Sequence, residues 1–348
     1  MFYAQIEDGS IYRNDKIIFF SLERFIKDIV KGKCCFICGA NPEETEFNDE
    51  HVIPKWILRK LELFSKSIVL PNGNAFRYDK YKIPCCKKCN SLLSRKIEIP
   101  MSKLLSKGYD NLSAHIEENL FEIFTWLALI FFKVHFKDKE FREFKDLRKP
   151  NSILANKIIW DHMHHIHCIL RSFYTKPKVS SSVIGSLLIL PVSDIEDTEK
   201  FDLCTHSSGS MLLKVGDICF ITVLNDSCAS AQVYFDTLER INEPLTTLQL
   251  REVFSKLTHI NLLLKDRPEF FSDIDFKDNN YYIGAKIPKK IKLNSKNAIS
   301  YGAILDRYCG EIVEKSKISG KKKIIKAVKN GEWTFLFNKD GKFIKNKE

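Results

Sequence analysis

The 348 residues of this chain contain no internal repeat and no low-complexity tract. Those absences exclude solenoid arrays and biased linker segments. Long apolar runs are also missing. The most apolar stretch, Leu120 to Phe132, carries Glu122 and is closed by Lys133, short of the ~20 residues a bilayer span needs. The residues after Met1, Phe-Tyr-Ala-Gln-Ile-Glu-Asp, have neither the basic nor the apolar region of a signal peptide. The expectation is therefore a cytoplasmic protein whose cysteines are thiols, with no membrane span. Negative charge is in deficit: 44 Asp and Glu against 55 Lys and Arg leave a net +11. That balance favours an anionic partner, nucleic acid first and an anionic membrane surface second. Part of the excess sits in a Lys-rich C-terminal end. The length allows two or three domains.

What the chain does have is cysteine, in a pattern. Cys35-Phe36-Ile37-Cys38 and Cys86-Lys87-Lys88-Cys89-Asn90 bracket Asp49-Glu50-His51-Val52-Ile53-Pro54. Each Cys-x2-Cys presents two thiolates from one tight turn, and four complete a tetrahedral zinc site. Cys34 and Cys85 adjoin these ligands, so either knuckle could shift register by one residue. Cys168, Cys204, Cys219, Cys228 and Cys309 are scattered and read as buried small hydrophobes.

Before the knuckles, residues 3–20 read as a β-hairpin turning at Asp8-Gly9-Ser10. Ser21 reads as an N-cap for a helix carrying Phe25, Ile26, Ile29 and Val30, ended by Gly32. Phe47 to Ile53 reads as a strand closed by Pro54, and Lys55 to about Phe64 as a helix. Residues 65–84 hold a loop and a second strand around Ala-Phe-Arg-Tyr, and Asn90 begins a further helix. Ile116 to Phe136 has apolar residues on every side, as in a helix buried all round. Another helix is expected over Ile153 to Phe173. Strands follow at Ile184–Pro191, Ser210–Val215 and Asp217–Leu224, then a helix at Thr247–Leu264. Lys321 to Lys323 are placed at a turn, and Trp333 to Phe337 in a short strand before a basic tail.

With these residues in view, the stretch 34–96 resembles the HNH (ββα-metal) endonucleases, in the branch stapled by four cysteines. The resemblance implies that Cys35, Cys38, Cys86 and Cys89 hold a structural zinc. It implies that His51 is the general base and that Glu50 and Asn90 hold a catalytic Mg or Mn. Asp49 is the reserve ligand, since Asp49 and His51 share a face in a regular strand. Leu93 stands where the family has a basic residue, with Arg95 or Lys96 as substitutes. Asn72 and Asn74 are the candidates for the family's middle Asn. The implied substrate is nucleic acid, DNA rather than RNA. Stand-alone members often serve bacterial antiviral defence or mobile elements, and a regulatory partner fits the extra domains.

The expected class is α+β: a zinc-stapled ββα-metal (HNH) finger, an all-α middle segment and a C-terminal antiparallel sheet with helices. The expected domains are residues 1–33 (N-terminal hairpin and helix), 34–112 (nuclease finger), 113–178 (helical scaffold) and 179–348 (α+β domain with a basic end). Competing readings are a non-catalytic zinc-finger nucleic-acid-binding protein and an interaction protein working through its C-terminal sheet. The cluster Asp161-His162-Met163-His164-His165-Ile166-His167-Cys168 reads as a packed helix rather than a metal site, because Trp160, Met163, Ile166 and Ile169 share it.

Overall fold

The computed structural model describes residues 4–14, 16–193, 200–275, 280–294, 299–316 and 319–345. Residues 3 and 15 of the expected hairpin, and 346–348 of the basic tail, lie outside that range. The fold mixes α and β. Strands β1 (Ala4–Glu7), β2 (Ser10–Arg13) and β3 (Lys16–Phe19) form a three-stranded meander rather than a single hairpin. The Ser21 hydroxyl accepts a hydrogen bond from Arg24 N–H and caps α1 (Leu22–Arg24), which runs on as a π-helical turn through Phe25–Val30.

Strand β4 (Phe47–His51) leads through Val52-Ile53-Pro54 into α2 (Lys55–Lys60). The next two strands, β5 (Ser67–Val69) and β6 (Ala75–Arg77), pair only with each other. The partner of β4 is instead β7 (Lys82–Cys86), antiparallel, with His51 opposite Lys82 and Phe47 opposite Cys86. The expected second strand around Ala-Phe-Arg-Tyr is thus a separate hairpin. Pro84 hid the true one: proline removes a ladder donor and is tolerated in a two-stranded ribbon, where one side is always an edge. Helix α3 (Lys87–Leu93) starts at the end of β7, three residues earlier than expected, and continues through a π-helical turn, Ser94–Glu98, into α4 (Ile99–Leu105).

After α5 (Gly108–Ala114) comes the long α6 (Ile116–Asp138). Ile123 to Phe136 is buried without a break. By length and composition α6 could cross a membrane, but 78% of its most apolar window is buried inside the protein. Trp126, Phe124, Phe131 and Phe132 are fully covered, and Phe132 stacks on Phe36 of the first knuckle. The helix expected over Ile153–Phe173 is broken into 3-10 turns at Leu154–Lys157 and Trp160–Met163, then α7 (His164–Leu170) and α8 (Ser172–Thr175).

Beyond the short β8 (Lys178–Val179), strands β9 (Ser186–Pro191), β10 (Phe201–His206), β11 (Ser210–Val215) and β12 (Ile218–Val223) form an antiparallel sheet in the order β10-β11-β12-β9. Strand β10 was not foreseen. Helices α9 (Ala229–Leu238) and α10 (Thr247–Leu263) follow, α10 opened by a capping box between Thr246 and Gln249. Leu212 and Ile221 of the sheet meet Val253, Phe254 and Leu257 of α10 in one core. Strands β13 (Glu269–Asp275) and β14 (Asn280–Lys286) join β8 in a second sheet. The chain ends with α11 (Tyr301–Leu305), α12 (Glu311–Lys315) and α13 (Lys321–Asn330). Lys321 to Lys323 open α13 rather than forming a turn, and Trp333–Phe337 is irregular, with one bridge from Phe337 to Phe343.

These elements fall into two compact units: Met1–Lys107, His115–Val183 and Phe270–Ala285 make the first; Gly108–Ala114, Ile184–Glu269 and Lys286–Glu348 make the second. Apart from Gly108–Ala114, the finger and helical segments read from the sequence therefore share one unit.

Candidate functional site

Two short turns build the cysteine group. In the first, Cys35 N–H donates to Ala40 O at 2.9 Å and Gly39 N–H to Cys35 O at 2.8 Å. Gly39 has φ +76°, and a Cβ there would lie 2.9 Å from the Phe20 ring, so the turn admits glycine best. The second knuckle is the N-terminus of α3. Cys86 is the N-cap, its sulfur accepting from Cys89 N–H at 3.4 Å. N-cap and third-residue side chains lie on one side of a first turn, and the helix N-terminus favours thiolate there. The Sγ atoms of Cys35, Cys38, Cys86 and Cys89 all lie within 4.8 Å of one another, and Cys38 and Cys86 are 3.7 Å apart. Four sulfurs at ~2.3 Å from a tetrahedral zinc would sit roughly 3.8 Å apart, so the group can hold that ion.

Charge sharing points the same way. Hydrogen bonds with Cys38, Cys85 and Cys89 hold the Cys35 thiol far below its ordinary range. The bond with Cys35 pushes Cys38 up to about 12. Sulfurs this close share one negative charge unless a cation admits more. The register alternatives resolve geometrically. Cys34 donates to Asp28 O at 2.6 Å and is outside the group. Cys85 is buried with its sulfur 3.8 Å from that of Cys35, yet it too stands outside the four. Among the described residues this is the one cluster of three or more His, Cys, Asp or Glu suited to a metal.

The histidine-rich stretch serves the knuckle instead. His167 Nε2 meets Phe36 O at 2.8 Å and His164 Nε2 meets Phe20 O at 2.7 Å. Fully buried Arg171 donates to the carbonyls of Ile37 at 2.5 Å, Ile18 at 3.1 Å and Ile17 at 2.8 Å. Arg171 was not singled out from the sequence.

Beside the cysteines, β4, α2, α3 and α4 enclose a pocket of about 610 Å³ lined by Glu50, His51 and Asn90 along with Asp49, Lys55, Trp56, Arg59, Glu98 and Lys103. Strand β4 ends at His51, so Glu50 and His51 both reach the pocket wall. Asn90, on the first turn of α3, donates from Nδ2 to Asn48 Oδ1 at 2.7 Å, which ties helix to strand. His51 is half-buried. Burial first, then the charges of Lys82 and Lys55, lowers its pKa to about 4, so its imidazole is neutral at physiological pH.

Glu50 has an unforeseen partner. Lys133, fully buried on α6, donates to Glu50 Oε1 at 2.8 Å and to the His51 carbonyl at 2.9 Å. Glu98 Oε1 lies 3.7 Å from the same ammonium, and Glu98 Oε2 accepts from Trp56 Nε1 at 3.1 Å. Burial opposes the Lys133 charge, but Glu50 and Glu98 outweigh it and hold its pKa above the ordinary lysine value. Burial likewise raises the Glu98 pKa. The sequence did carry a signal: one lysine in the otherwise apolar run of α6. Asp49, the reserve ligand, is exposed and 3.5 Å from Lys82.

The remaining expectations do not meet here. Asn72 donates to Arg142 O at 2.7 Å, and Asn74 lies in the same β5–β6 turn. Neither Arg95 nor Lys96 lines the pocket. Comparison with protein-family models, with characterised proteins and with solved structures gives no match.

Proposed function

We propose that this chain is a metal-dependent endonuclease of the HNH type, hydrolysing phosphodiester bonds in nucleic acid, with DNA the favoured substrate. The observation that carries it is the lining of one pocket by Glu50, His51 and Asn90, on an antiparallel strand pair and a following helix. Cys86 and Cys89, where β7 meets α3, and Cys35 and Cys38, in the turn before β4, would form a zinc staple with every coordination position filled by protein.

In this reading His51 takes the proton of the attacking water at an imidazole nitrogen, which its lowered pKa keeps free. The Glu50 oxygen not engaged by Lys133 and the Asn90 amide oxygen are the groups that would hold a hard divalent ion. Mg or Mn, when bound, supplies charge neutralisation at the phosphate. Lys133 fixes the carboxylate beside the base and holds the His51 backbone with the same ammonium.

The test is cleavage of plasmid DNA with Mg²⁺, Mn²⁺ or EDTA, repeated with His51→Ala. Loss of a general base is expected to lower the rate about 10²–10⁴-fold. Metal-dependent cutting that survives His51→Ala sinks the assignment. A second reading, a zinc-stapled nucleic-acid-binding module without catalysis, is favoured by the Glu50–Lys133 ion pair at 2.8 Å, which already neutralises the carboxylate. Salt-sensitive binding with no cutting in either metal selects it.

A further inference from the structure

The pocket wall carries more positive charge than hydrolysis uses. Its three acids are already met by two cations, one of them shared. Asp49 has Lys82 at 3.5 Å, Glu50 has Lys133 at 2.8 Å, and Glu98 has Lys133 at 3.7 Å. Lys55 and Arg59 on α2 and Lys103 on α4 line the same pocket and are exposed. Among the described residues none of the three forms an ion pair.

Helix stability does not account for all three: Arg59 and Lys103 stand in last turns, where a cation suits the dipole, but Lys55 does not. Lys55 is the first residue of α2, where a cation opposes the helix dipole. Lys55 and Arg59 stand four apart on one face, where like charges repel. Helix α13 is a contrast. Its exposed Lys322, Lys323, Lys326 and Lys329 form the solvated side of an amphipathic helix that buries Ile324 and Val328, an arrangement that needs no ligand.

We infer that Lys55, Arg59 and Lys103 form a phosphate clamp beside His51, taking backbone phosphates that flank the one to be cut. This rim, and not the lysine-rich α13, carries the electrostatic part of nucleic-acid binding. The clamp rests on the nuclease reading for the identity of its ligand, and its test separates the two.

Binding of a short DNA duplex is measured by fluorescence anisotropy in EDTA across a salt series, in a His51→Ala background. Replacing Lys55, Arg59 and Lys103 together by Gln is expected to reduce the slope of log K against log salt by roughly 2 to 3, about 0.9 for each phosphate no longer neutralised. Replacing Lys322, Lys326 and Lys329 by Gln is expected to leave the slope unchanged. All six side chains are exposed, and an unchanged melting curve checks that each variant is folded. The clamp is overturned if the rim variant keeps the parent slope, if the α13 variant takes the loss, or if the parent does not bind the duplex. Rim-dependent binding without cleavage by the wild-type protein in Mg²⁺ or Mn²⁺ removes the enzyme and keeps the clamp. Cleavage at the wild-type rate by the rim variant does the reverse.

Discussion

Two buried groups one turn apart on α6 pull stability in opposite directions as pH changes. Burial lowers the His135 pKa to about 4. Its unfolded form takes up a proton near 6.5, so the stability it lends above that value is lost as pH falls towards 4. Burial raises Asp138 to about 7, while the unfolded carboxyl ionises near 3.8. Its contribution is complete below that value and is lost as pH rises to 7. Over pH 4 to 6.5 the two offset each other. Asp138→Asn keeps an acceptor for the Tyr81 hydroxyl, now 2.5 Å from Asp138 Oδ1, and removes one side of the balance. The variant should gain on the order of 3 kcal/mol between pH 4 and 6.5 from His135 alone. A denaturant midpoint that stays flat across that range refutes the argument. Lys133 makes a second prediction. Lys133→Ala leaves Glu50 and Glu98 facing each other without a cation, and a loss of roughly 3–5 kcal/mol is expected. Glu50→Gln in the same background should recover part of it, as a double-mutant cycle would read.

At the level of elements, α7 matters less for its histidines as ligands than for what they hold. Removing Arg171 would strand the carbonyls of buried Ile18 and Ile37, at roughly 1–3 kcal/mol each, and that of half-buried Ile17. Arg171→Leu should therefore speed zinc loss to a chelator, measured with a metal-sensitive dye, while Arg95→Leu, exposed on α3's extension, should not. The knuckles and β4 were legible because their information is local: thiol spacing, a glycine turn, a strand ended by proline. The partner of β4 was not, because Lys-Ile-Pro-Cys-Cys carries a strand-breaking residue that only an edge position excuses. Arg171 was illegible for a different reason, and Lys133, though conspicuous in its apolar run, gave no sign of its partners. Each has a partner more than 80 positions away, 83 for Lys133 to Glu50 and 134 for Arg171 to Ile37, and no spacing rule reaches that far.

For the whole molecule, separate cores predict separate melting. The cysteine group belongs to the first unit, and Trp333 to the second. Chelation should lower the transition followed by the first unit's Trp126 and leave that followed by Trp333, each read in a variant where the other tryptophans are Phe. Native mass spectrometry should find one zinc per chain, lost in Cys38→Ser. The chain itself is threaded unusually. It leaves the first unit at Val183, lays down the sheet of the second, and comes back for Phe270–Ala285, where Tyr282 and Ile283 of β14 pair in parallel with Lys178 and Val179 of β8. A nascent chain that has already displayed the four cysteines of the group must wait for nearly two hundred more residues, from Cys89 to Tyr282, before its last sheet can close. Shuffling by recombination faces the same obstacle: no single pair of cut points lifts out the first unit whole, so the two halves are inherited together.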